Sequence, residues 1–183
     1  VHAHQFCVSM KTEHPIPCQR LQAALNHFLP ADMAVLSCRE VPLSFHARYS
    51  CRGKEYEYRI WNHPVRSPFL RDRALHYWYP LDLQKMNRAA AYFVGPHDFS
   101  SFCTTDTRER GDMTRTLTAS SWRREGDLVL YTVAGDGFLY NMVRILVGTM
   151  LRVAQGKMQP DDMPAILQAK DRRVAGPTAP ACG

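Results

Sequence analysis

Arg144 is a charge set among hydrocarbon. It follows Phe138-Leu139-Tyr140-Asn141-Met142-Val143, at the head of the most apolar segment of the chain. A guanidinium there must be paired or solvated, because an isolated buried charge costs several kcal/mol. Glu and Asp are absent from Phe138 through Gly156, so a partner has to come from elsewhere in the fold. Two readings stand. The arginine holds an active-site carboxylate ionised, or it sits at the helix surface and snorkels into water.

A second chemical pattern is Phe45-His46-Ala47-Arg48-Tyr49 followed by Lys54-Glu55-Tyr56-Glu57-Tyr58. From Arg48 to Arg73 there are seven Arg or Lys against three acids. Aromatic faces stack on bases while cations hold phosphates, which suits splayed RNA. The same pattern also suits an ordinary sheet, in which aromatics are common and arginines decorate the wet face.

Histidines offer a third chemistry. His2 and His4 alternate along a presumed strand and would share one face. No acid or Cys-His cluster beside them completes a metal set, so a metal-dependent hydrolase built on His2, His4 and Asp98 is a distant reading. His97-Asp98 reads better as a turn before Phe99. Neither G-x-x-x-x-G-K-[ST] nor G-x-G-x-x-G occurs, so nucleotide cofactors have no motif support.

The elements that must carry these residues follow from periodicity. Val1 to Met10 reads as a strand, Gln19 to Phe28 as a helix and Met33 to Val41 as a second strand. A boundary is placed around Pro42 to Ser44. Phe45 to Cys51 and Glu55 to Trp61 read as strands with a bend at Gly53; in the latter, Tyr56, Tyr58 and Ile60 alternate with Glu57, Arg59 and Trp61. Asp82 caps a helix running to Phe93. A charged loop, Asp106 to Met113, precedes a hairpin of Thr114 to Arg123 and Leu128 to Ala134. Tyr140 to Ala154 is an apolar helix, and Pro160 starts a last one through Ala169. The tail Gly176 to Gly183 is loop-like. This irregular order favours an α+β sheet with helices on one side over a regularly wound parallel sheet.

Composition bounds the class. The 183 residues are 45% hydrophobic and 22% charged, which is ordinary for a globular chain. Lys plus Arg is 23 and Asp plus Glu 17, giving a formal charge of +6 that favours a polyanionic partner. Six cysteines are scattered without zinc or thioredoxin spacing and read as reduced thiols. No stretch is apolar enough to span a bilayer, and no secretory pattern opens the chain. A cytoplasmic setting, or an organelle interior, is the expectation, with no membrane partner.

Taken in order, these segments resemble the tRNA pseudouridine synthase A family. The resemblance rests on Val1-His2-Ala3, Phe45 to Tyr49 with Lys54-x-Tyr56-x-Tyr58, His97-Asp98-Phe99-Ser100-Ser101-Phe102, and Gly137 to Arg144 with Val147-Gly148. The tail Gly176-Pro177-Thr178-Ala179-Pro180-Ala181-x-Gly183 matches as well. The ordered set spans essentially the whole chain.

The resemblance implies a pseudouridine synthase fold of two ferredoxin-like α+β halves, with antiparallel sheets and helices packed behind. Residues 1–42 would be the remnant of the first half and 43–183 the second. It implies a homodimer acting on tRNA, and isomerisation of uridine at positions 38 to 40 of the anticodon arm, with no cofactor and no metal. A non-catalytic RNA-binding protein of the same fold is the alternative. Val1-His2-Ala3 matches the end of a G-R-T-D-A-G-V-H-A loop, so the nucleophilic aspartate would lie three residues before Val1 and the chain by itself would be inactive. Arg144 matches the arginine that pairs with that aspartate, and Tyr56 the tyrosine that packs on the uracil. Phe45, His46, Ala47, Arg48 and Tyr49 match a segment that touches tRNA, and Arg115 matches a further tRNA contact.

Overall fold

The computed structural model describes residues 2, 3, 5–104 and 111–183. His4, and with it the proposed histidine pair, lies outside the described residues, as does most of the charged loop. The architecture is α+β. The chain divides into two compact units, Ala3–Cys51 and a larger one of Arg52–Gly183 with His2.

The smaller unit holds one helix, α1 (Cys18–Phe28), with no buried residue. The segments expected as strands, 5–10, 33–41 and 45–51, pair with no described strand. A strand exists only where a ladder takes up its backbone groups. Here side chains do that work instead. Gln22 Nε2 donates to the carbonyls of Val35 and Leu36, each at 3.0 Å. Asn26 accepts from the Val35 amide at 2.7 Å and donates to its carbonyl at 3.0 Å. Around Phe45 the chain turns: the Phe45 amide donates to Pro42 O at 2.9 Å and the Ser50 amide to His46 O at 2.7 Å. The Ala47 amide donates to Ser9 Oγ at 3.1 Å, tying this turn to the start of the smaller unit. Side-chain donors and acceptors, rather than a described ladder, meet these backbone groups.

The larger unit is a five-stranded sheet of β1 (Lys54–Trp61), β2 (Leu75–His76), β3 (Gly95–Asp98), β4 (Thr114–Glu125) and β5 (Leu128–Gly135) in the order β2-β1-β5-β4-β3. All neighbours are antiparallel except the two-residue β2, which runs parallel to β1. The β4–β5 hairpin closes as the sequence suggested, with Glu125 opposite Leu128 and Gly126 at φ +59°, a conformation that suits a residue without Cβ.

Helices α2 (Leu83–Ala91), α3 (Met142–Ala154) and α4 (Met163–Ala169) complete the unit. Asp82 caps α2 by accepting from the Lys85 amide at 3.1 Å. Met86, Ala89 and Ala90 form its buried stripe. Nine of the 13 residues of α3 are buried, as its near-continuous apolar character requires. Between them lies a core of Ile60, Phe93, Phe102, Trp122, Tyr131 and Met150. Trp122 stacks on Tyr131 at 4.8 Å and donates Nε1–H to Met150 Sδ at 3.0 Å. Asn87 of α2 grips the Trp122 backbone from both sides, at 2.9 and 2.7 Å, and so locks helix to sheet.

Candidate active site

Sheet alternation sorts the residues of β1. Tyr58 and Ile60 are buried in the core and Tyr56 packs against it. Glu57 and Arg59 leave by the opposite face, where Arg59 Nε meets Glu57 at 2.9 Å and Arg123 Nη2 meets it at 2.8 Å. The pleat therefore separates Tyr56 and Tyr58 from Arg59, which shares its face with Trp61.

Tyr56 meets Phe138 edge to face, with ring centroids 5.0 Å apart. Phe138 belongs to the short connection between β5 and α3. That connection ends at Asn141, which adopts φ 60° and caps α3 without a side-chain hydrogen bond to a backbone amide of its first turn. The Asn141 side-chain amide is used otherwise. Its Oδ1 accepts from Arg144 Nη1 at 3.1 Å, and its Nδ2 donates to Thr104 Oγ1 at 3.2 Å.

Arg144 sits in the first turn of α3 and is half-buried. Its Nε donates to Ala179 O at 2.6 Å, while the Ala179 amide donates to Arg144 O at 3.0 Å. Neither Ala179 O nor Asn141 Oδ1 carries charge, and no ion pair among the described residues involves Arg144. A guanidinium has five N–H donors in a fixed fork, so two anchored donors orient the rest.

The tail from Gly176 makes this geometry. A Cβ on Gly148 would come 1.7 Å from Pro177 O, so only glycine lets the tail cross α3 there. Beyond the crossing, Ala179 holds Arg144 and Pro180 O accepts from Tyr58 OH at 2.7 Å. A Cβ on Gly183 would fall 2.1 Å from the Tyr58 ring. Burial pushes the Tyr58 phenol well above its ordinary range; nearby Cys182 adds to this and Arg144 opposes it. Successive tail residues thus hold Arg144 and Tyr58, and Tyr56 is the next inward-facing residue of β1.

Arg115, near the start of β4, lies beside Gly137, where a Cβ would stand 3.4 Å from its side chain. Its Nη1 donates to Asp112 O at 2.8 Å and Thr114 O at 2.6 Å. It therefore flanks the Phe138 connection. Phe45, His46, Ala47, Arg48 and Tyr49 lie on the smaller unit. There His46 Nδ1 accepts from the Arg48 and Tyr49 amides at 3.2 and 3.4 Å, and Arg48 lies 5.9 Å from the exposed Tyr49 ring.

The described residues contain no group of three metal-binding side chains, and His4 of the metal reading lies outside them. Asp98 is structural. It accepts from the Ser100 amide at 3.0 Å and pairs with Lys170 at 2.8 Å. Burial works to raise its carboxyl, but the bonds from Lys170 and Ser100 outweigh that and hold it below its usual range.

Sequence reasoning missed Tyr58 and Asn141. The second tyrosine of Tyr56-x-Tyr58 shares the inward face of the first, which was a legible signal. The use of Asn141 depended on a left-handed backbone that the sequence did not reveal.

The fold is an α+β sheet, antiparallel except for β2 and backed by helices, and it carries an arginine held at the head of α3 by Ala179 and Asn141. The chain belongs to the tRNA pseudouridine synthase family: the family of that description matches residues 89–183. The chain is also similar over all 183 residues to tRNA pseudouridine synthase A of Acetivibrio thermocellus, at 44% identity and covering 75% of that protein. Its identity to the protein of the same description from Halalkalibacterium halodurans is 45%, covering 69% of it, and to that of Bacillus pumilus 44%, covering 74%.

Proposed function

We propose that this chain contributes to isomerising uridine to pseudouridine in tRNA, at positions 38 to 40 of the anticodon arm. In that reaction the bond between N1 and C1′ breaks and one between C5 and C1′ forms. The proton leaves C5 and N1 is protonated, so no redox partner enters. The target base must first leave its stack. An aspartate in the loop that ends in Val1-His2-Ala3 attacks the nucleoside, and Arg144 keeps it ionised. Tyr56, backed by Phe138, packs on the freed uracil. Arg115 and Phe45, His46, Ala47, Arg48 and Tyr49 contact the tRNA. A homodimer in the cytoplasm is the working assembly.

The observation that carries this reading is Arg144 itself. It is held on two sides by neutral acceptors, with its remaining donors left for an anion. The decisive assay is tritium release from tRNA labelled at uridine C5. The 183 residues alone are expected to release no label, and to release it once a G-R-T-D-A-G segment precedes Val1. Label released by the chain alone overturns the assignment of the nucleophile. A second reading, RNA binding without turnover, draws on the aromatic and basic set of Phe45, His46, Arg48, Tyr49 and Arg115. It is upheld if the loop-bearing chain binds tRNA but releases nothing.

A further inference from the structure

A second group of positive charges in the larger unit lies at the far end of α3 from Arg144. Arg152, Lys157, Arg172 and Arg173 converge on a concavity of about 400 Å³ whose floor is the backbone of residues 174–177. No carboxylate lines it. Arg173 is already balanced, since Asp171 takes its Nη2 at 2.7 Å and its Nε at 3.0 Å. Arg172 meets only neutral acceptors, Ala175 O at 3.5 Å and Thr178 Oγ1 at 3.2 Å. Arg152 and Lys157 take part in no side-chain hydrogen bond or ion pair among the described residues. They are not needed as helix caps either. The end of α3 is closed by backbone alone, with the Gly156 amide on Val153 O and the Lys157 amide on Arg152 O, both at 2.9 Å. Three positive charges are thus left facing one hollow.

We infer that this concavity is a subsite for the phosphodiester backbone of the RNA substrate. The inference rests on the proposed tRNA-modifying function and adds a binding surface to it. The proposed substrate argues for RNA over another polyanion, and the hollow lies on the helix that carries Arg144. Arg144 and Arg152 are eight residues apart on one helix, about 12 Å along its axis at ~1.5 Å per residue. The same tail reaches both places: Ala175 and Thr178 bind Arg172, and Ala179 binds Arg144. A stem flanking the target base can therefore be gripped by the strap that orients Arg144.

The test is filter binding of a tRNA transcript across a salt series. It compares the chain with Arg152→Ala/Lys157→Ala and with Lys157→Glu, an exposed position that leaves the fold undisturbed. Lys85→Ala, on α2, removes a like charge elsewhere. Each phosphate that a variant no longer neutralises lowers the salt slope by about one, so the double variant should show a slope smaller by about two and an affinity weaker by about tenfold. Lys85→Ala should keep the parent slope. Parent-like slopes in both hollow variants overturn the subsite and leave the function standing. No tRNA binding by the parent chain overturns both. Competition by polyglutamate as effective as by a short RNA overturns the assignment to RNA.

Discussion

Arg144 and Ala179 hold each other twice. The arginine side chain donates to the alanine carbonyl at 2.6 Å, and the alanine amide returns a bond to the arginine carbonyl at 3.0 Å. The second bond fixes the tail in register with α3. The first then sets the direction of the guanidinium. A segment with no regular structure in this way aims the most chemically informative side chain of the molecule.

Arg144→Lys tests that aim. An ammonium is a point donor and cannot hold Ala179 O and Asn141 Oδ1 in the geometry of a planar fork. In a chain bearing the loop aspartate, turnover should fall by about 100-fold, the scale of a misplaced catalytic group. Affinity for tRNA should change far less, because the charge remains. Single-turnover kinetics with labelled tRNA separates the two, and equal declines in both would mean that Arg144 serves binding alone.

Gly148→Ala tests the strap. The new methyl would stand 1.7 Å from Pro177 O, a backbone atom that cannot swing aside. Overpacking of this kind costs about 1–3 kcal/mol. Denaturant unfolding should report that destabilisation, and limited proteolysis should cut the freed tail sooner. Gly111→Ala, where nothing lies within 4 Å, is the control and should be nearly silent. Matching midpoints for the two variants would contradict the close crossing.

Alkali should weaken the fold through two phenols. Burial raises both Tyr58 and Tyr131; a bond to Ser120 partly offsets the shift in Tyr131. In the unfolded chain both ionise near the ordinary value of about 10. Their raised folded values mean that the stability they confer is intact below pH ~10 and declines as pH rises above it. Urea midpoints taken from about pH 8 to about pH 12 should fall on that limb. Phenolate absorbance should show two of the eight tyrosines ionising only as the protein unfolds. Complete ionisation while the fold persists would place both rings in water.

Much of the larger unit was legible in the residues. Alternation of Tyr56, Tyr58 and Ile60 gave β1 its inward face, Asp82 marked the start of α2, and the apolar run ending at Ala154 gave a helix buried on most sides. These features are local: pleat, cap and helical period act over a few neighbouring residues. Arg144 stood out for the same reason, as a charge without an acid within reach along its own helix. The smaller unit read less well. Its segments 33–41 and 45–51 have strand composition, yet no ladder forms among the described residues, and Gln22, Asn26 and His46 bond the backbone of Val35, Leu36, Arg48 and Tyr49.

Only the tertiary structure decided what answers Arg144 within the chain. Ala179 lies 35 residues away, and it arrives because Gly148 leaves room for Pro177 to cross. The sequence by itself determined that a cation stands at the head of α3 and that tyrosines line the adjoining strand. Their convergence depended on packing between distant segments, which no periodicity records.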